Sequence, residues 1–94
     1  MTASRPKKAY YRKLYLAHLI DTERHNLVSL VEKTGMPLRT IQDAVKALPN
    51  IGIEYKFIQD GSKNNHGYYE IGDWTDHNRD WIRINLQYVK DVIQ

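Results

Sequence analysis

The amino-acid sequence predicts an α+β domain that is mainly α: a three-helix core, a β-hairpin and an additional C-terminal helix. Three observations predict it. Two short amphipathic stretches flank a turn containing Gly35 and Pro37, an alternating apolar pattern is interrupted by a loop rich in glycine and asparagine, and strongly apolar helical stretches stand at both ends.

The elements follow in chain order. Residues 1–6 lack periodicity and read as a disordered basic arm, with Pro6 near the start of the first helix. From Lys7 to Ile20 the pattern is helical, and Tyr10, Tyr11, Leu14, Tyr15, Leu16, Ala17, Leu19 and Ile20 cover more than one stripe. Such a helix must be buried on more than one side, against either the C-terminal helix or another subunit. Asn26 suits the cap of a second helix, in which Leu27, Leu30 and Val31 share a face and Lys33 sits where the helix dipole favours a cation. Gly35 can take the left-handed backbone that ends it, and Pro37 suits the first turn of the next helix. Along the third helix, Pro37 to Leu48, Leu38, Ile41, Val45 and Leu48 fall on one side with Ala44 beside them. Arg39, Gln42, Asp43 and Lys46 fall on the other.

Pro49, Asn50 and Gly52 then break the helical pattern. Ile53, Tyr55 and Phe57 alternate with Glu54 and Lys56 as in a half-buried strand, and Tyr69 and Ile71 alternate with Tyr68 and Glu70 in a return strand. The connection DGSKNNHG is too long for a two-residue turn and reads as a protruding loop. Residues 75–94 read as a final helix capped by Thr75 or Asn78, with a stripe of Ile82, Leu86, Val89 and Ile93 widened by Trp81, Ile84, Tyr88 and Val92.

Gly35, Met36 after it, and Ile41 followed by Ala44 and Val45 resemble the helix-turn-helix of bacterial DNA-binding proteins, whose second helix lies in the major groove. With the hairpin included, the stretch from Tyr10 to Ile82 resembles the winged helix-turn-helix DNA-binding family found among small bacterial proteins. Two positions depart from the general motif: Val31 stands where a small residue usually allows close helix packing, and Pro37 where a serine or threonine cap is usual. The resemblance implies a small bacterial transcriptional regulator that binds duplex DNA, with the loop between the strands as its wing.

The chemistry of the outward face fits that implication. Arg39 can pair with guanine O6 and N7, Gln42 with adenine, and Asp43 can accept from cytosine. Thr40 and Lys46 are suited to phosphates, which set register without reading sequence. Lys63, Asn64, Asn65 and His66 in the loop could reach the flanking minor groove or backbone, although asparagine and glycine also serve turn geometry alone. The alternative for each is a solvated surface residue; the motif around Arg39 favours DNA contact there, while Gln42 and Asp43 are evenly balanced.

The formal charge of +3 is unevenly placed. Arg5, Lys7, Lys8, Arg12 and Lys13 carry +5 with no acid among them, leaving −2 for the remainder. Arg5, Lys7 and Lys8 are therefore expected to add electrostatic affinity for DNA.

Ninety-four residues suit a single domain, 7–94, and a separate effector-binding domain is not expected. The apolar surplus on the terminal helices points to a homodimer, with Leu86, Val89 and Ile93 of helix 75–94 and Tyr11 at its interface. Alternatively, the two terminal helices pack on each other within one chain.

The absence of cysteine excludes disulfides and cysteine-based zinc sites, and no apolar run has membrane-spanning length. A cytoplasmic, nucleoid-associated protein without cofactors is expected. His18, His25, His66 and His77 are scattered, and no nucleophile motif or phosphate-cradling glycine loop occurs, so an enzyme is not expected. Single-strand stacking on the tyrosines is a minor alternative, because they follow helix and strand periods. The rival from another class is a winged-helix module that binds protein within a larger assembly.

Overall fold

The structure, a computed structural model, describes residues 4–59, 67–75 and 79–93. Helix α1 spans Arg5–Thr22, and α2 (Leu27–Thr34) and α3 (Leu38–Lys46) follow across the tight turn. A 3-10 turn, Leu48–Ile51, leads into strand β1 (Glu54–Gln59), which pairs antiparallel with β2 (Gly67–Asp73). Two short helices, α4 (Arg79–Ile84) and α5 (Leu86–Ile93), complete the chain.

Helix α1 is the axis of the fold. Every residue from Leu14 to Ile20 is buried, because α1 meets α3, α4, α5 and β2. It starts two residues before the expected boundary. Ser4 is its cap, with its hydroxyl accepting from the Lys7 amide at 3.3 Å and its carbonyl from the Lys8 amide at 2.9 Å. Arg5 and Pro6 are thus helical rather than part of a loose arm; a proline in the first turn has no amide hydrogen to waste.

Asn26 caps α2 reciprocally. Its side chain accepts from the Ser29 amide and the Ser29 hydroxyl accepts from the Asn26 amide, both at 2.9 Å. Gly35 ends α2 at φ 74°, the left-handed conformation that glycine reaches without a side-chain clash. Pro37 then precedes α3 without a side-chain cap, as its sequence position requires. Ile41, Ala44 and Val45 are buried, but Leu38, expected on the same stripe, stays 50% exposed at the first position of the helix. Leu48 is fully buried from the 3-10 turn, since α3 ends two residues before it.

The C-terminal helix differs most from expectation. Thr75 has φ 55° and cannot be its cap; the amide is held by the Asp73 carboxylate at 2.8 Å and the hydroxyl donates to the Gly52 carbonyl. Asn78 lies outside the described residues. The helix is divided at Asn85, whose side-chain amide donates to the Trp81 carbonyl at 2.9 Å, the same carbonyl that accepts the Asn85 backbone amide. The Trp81 carbonyl thus accepts twice where α4 gives way to α5.

Burial also corrects the proposed dimer interface. Val89 is fully enclosed within one chain, and Leu86, Ile93 and Tyr11 pack partly buried against the same core, where α5 lies on α1. The stripe that looked surplus in sequence is covered by the other terminal helix. Among the described residues of α4 and α5, the large apolar side chains left exposed are Trp81, Ile84 and Tyr88.

His18, buried on α1, has its pKa pushed below 6.5 by burial, with nearby Lys90 adding to the effect and Asp21 and Glu23 opposing it. The folded chain keeps this ring neutral while the unfolded chain protonates it. Its contribution is therefore complete above pH 6.5 and is lost as pH falls below that value. Denaturant titrations at neutral and mildly acidic pH should show wild type losing more stability than His18→Leu. Leu16→Ala should lower the unfolding free energy by about 2–5 kcal/mol. Val28→Ala, at a position 64% exposed, should change it by less than about 0.5 kcal/mol.

Candidate nucleic-acid interface

Packing Ile41, Ala44 and Val45 inward turns the opposite side of α3 to solvent. Arg39, Asp43 and Lys46 are exposed and Gln42 is half-buried on this side. The Arg39 side chain is 91% exposed, with Nε 3.9 Å from an Asp43 carboxylate oxygen one helical turn away. Such exposed pairs contribute about 0.3–0.5 kcal/mol, against about 1–3 kcal/mol for a bidentate arginine–guanine contact. The Asp43 pair therefore orients Arg39 without withholding it.

Thr40 lies off this face. It lines an open groove of about 400 Å³ between α1 and α3 together with Ala9, Arg12, Lys13, Asp43, Ala44 and Ala47. Arg12 and Lys13 were read in sequence as part of a basic run but not as partners of α3. Helical period carries the signal: Arg5, Ala9 and Arg12 fall on one side of α1, and Lys7, Tyr11 and Leu14 on the other. Lys7 faces the other way. Its ammonium group donates to the Tyr88 hydroxyl at 3.1 Å and lies 5.6 Å from the ring centroids of both Tyr11 and Tyr88, so it serves the α1–α5 contact. The bond raises the Lys7 pKa and lowers that of Tyr88.

The hairpin stands beside this arrangement at a fixed position. The Tyr69 amide donates to the His25 carbonyl at 2.8 Å, and the Asn26 side chain reaches the Gly67 carbonyl at 3.5 Å. His25 is itself buried, with Nδ1 2.9 Å from the Ser29 hydroxyl and Nε2 3.2 Å from Glu23. That hydrogen bond, joined by Lys33 at 3.8 Å, lowers the Glu23 pKa. Tyr55 and Phe57 pack edge-on against Tyr69 across the two strands. Gly67 admits no side chain, because a Cβ there would overlap the Ile58 carbonyl oxygen and the Phe57 ring. Lys63, Asn64, Asn65 and His66 lie outside the described residues. The sequence did not reveal the anchor of the hairpin, since it joins main-chain groups of residues distant in the chain.

A helix presented on a tight turn, with an antiparallel hairpin fixed beside it, defines a winged-helix domain. The profile of the winged helix-turn helix family matches residues 5–93, and the chain belongs to that family. It is similar to a DUF2131 family protein from Shewanella amazonensis SB2B, whose crystal structure at 2.50 Å resolution matches it with a TM-score of 0.90. The two are 48% identical, and the match covers 97% of this chain and 88% of that one. No curated protein matches the chain. The fold of the family is typically DNA-binding and non-enzymatic. Among the described residues, no three histidine, aspartate or glutamate side chains are grouped as a metal site, and no helix is long and apolar enough to cross a membrane.

Asn26→Ala removes both the α2 cap and the link to Gly67. It should cost about 0.5–2 kcal/mol in denaturant titration. It should also speed amide exchange at Tyr69 more than at Leu16.

Proposed function

We propose that the protein binds duplex DNA and acts at the nucleoid as a small bacterial transcriptional regulator. The observation that carries this reading is the division of α3 into a buried side, Ile41, Ala44 and Val45, and an exposed side bearing Arg39, Gln42, Asp43 and Lys46. In the proposed complex α3 enters the major groove with Arg39 on a base edge, Gln42 and Asp43 beside it, and Lys46 on a phosphate. The hairpin brings Lys63, Asn64 and Asn65 to the flanking backbone or minor groove. No step of this function calls for a cofactor.

The regulator acts as a homodimer in this reading, so that two copies of α3 meet a twofold-related site. Its contacts come from the exposed Trp81, Ile84 and Tyr88 rather than from Val89. The same exposed side chains also favour a second reading, a winged-helix module that docks on another protein. Selection of duplexes from a random pool separates the two. An enriched palindrome supports a dimeric regulator, whereas failure to bind any duplex at low salt supports the protein-docking module.

Arg39→Ala should weaken specific binding by about 1–3 kcal/mol and relax preference at one base pair. Lys46→Ala should weaken all duplexes alike. Fluorescence anisotropy on the selected and a scrambled duplex measures both; equal losses on the two duplexes for the arginine variant would remove its assigned role.

A further inference from the structure

The cations of the described residues divide into two sets. Lys33, Arg39, Arg79 and Arg83 lie within ion-pair distance of carboxylates, while Lys7, Arg24 and Lys90 stand over tyrosine rings. Among the described residues, Arg5, Lys8, Arg12, Lys13, Lys46 and Lys56 have neither kind of partner. Lys56 apart, this second set gathers on one face of α1 and at the end of α3.

That placement is costly for the helix. No acidic residue occupies the first turn of α1, so Arg5 and Lys8 stand uncompensated at its positive end, each opposing the dipole by about 0.3–1 kcal/mol. An anion laid along this face would reverse the sign of that term. The groove that Arg12 and Lys13 share with Thr40 and Ala47 opens beside the reading face of α3, and Arg5 continues the same stripe toward the start of α1. From Arg5 to Lys13 the helix rises about 12 Å, on the order of three phosphates of one strand at about 3.4 Å of duplex axis each. Among the described residues, Asp43 is the one carboxylate lining the groove, and Arg39 partly neutralises it.

We propose that the face of α1 bearing Arg5, Lys8, Arg12 and Lys13 is a second phosphate-binding surface, holding the DNA strand that borders the Thr40 side of α3. This rests on the duplex-DNA reading and assigns its electrostatic affinity to a rigid helical track rather than to a loose arm.

The test is anisotropy of the full chain with a labelled random-sequence duplex over a salt series. Arg12→Gln/Lys13→Gln should lower the slope of log affinity against log salt by about 1.8, or about 0.9 for each phosphate contact. By the same relation, affinity at 0.1 M salt should fall roughly sixtyfold. The charge-conserving Arg12→Lys/Lys13→Arg should keep the wild-type slope, and Lys7→Gln, on the opposite face, should leave it unchanged. If the glutamine double variant unfolds in a thermal melt, Arg5→Gln/Lys8→Gln at the outer turn gives the same readout. Wild type that binds no duplex overturns the DNA reading and this surface together. Wild type that binds, with glutamine variants keeping the slope or Lys7→Gln lowering it equally, overturns the α1 surface and leaves the DNA reading standing.

Discussion

Enclosure of the second half of α1, Leu14 to Ile20, is the constraint from which the other arrangements follow. Helices in proteins owe most of their stability to tertiary packing rather than to propensity, and this one begins with cations at the end where its dipole is positive. Its order must come from tertiary burial, with Leu14, Leu16, Leu19 and Ile20 each contributing up to about 1.5–3 kcal/mol. Once those side chains are inside, neighbours must cover them. The neighbours are α3 on one side, α4 and α5 on another, and β2 on a third. The outward face of α3 is therefore fixed by the inward demands of α1.

The hairpin is held by a different kind of force. A two-stranded sheet is marginal alone, and here its partly buried side chains Tyr55, Tyr69 and Ile71 rest on the core. Packing of this sort limits tilt poorly, whereas the hydrogen bond from the Tyr69 amide to the His25 carbonyl sets the strand's register against the α1–α2 junction. His25 can offer that carbonyl at a constant height because its ring is fixed by Ser29 and Glu23. Position of the wing relative to α3 is thus transmitted through the cap of α2.

How far this was legible in the sequence depended on whether a feature is local. Asn26, Gly35 and Pro37 act through their immediate neighbours, and the two strands through their own alternation, so these elements stand where their residues place them. Asn85 looked like an ordinary helical residue because its effect depends on which carbonyl its side chain selects. Val89 looked available for a partner because periodicity reveals a stripe but not the surface that covers it; that surface is α1, more than sixty residues earlier in the chain. The exposed face of α3 was legible as a helical pattern. Its groove with α1 was not, since neither helix contains the information about their packing.

The same distinction bears on how binding is divided within the proposed complex. On the reading face, Arg39 and Lys46 contribute two positive charges and Asp43 one negative, so α3 has little long-range attraction for a polyanion. A face of mixed sign is suited to discrimination, because Asp43 repels phosphates and is tolerated only where a base edge offers it a donor. Attraction must then come from elsewhere, and the unpartnered cations of α1 are the nearest source. Their position on a helix locked by its own core fixes Arg12 and Lys13 along the groove that Asp43 also lines. Burial of Leu14 to Ile20 thereby connects the stability of the domain to the proposed separation of affinity, on α1, from selectivity, on α3.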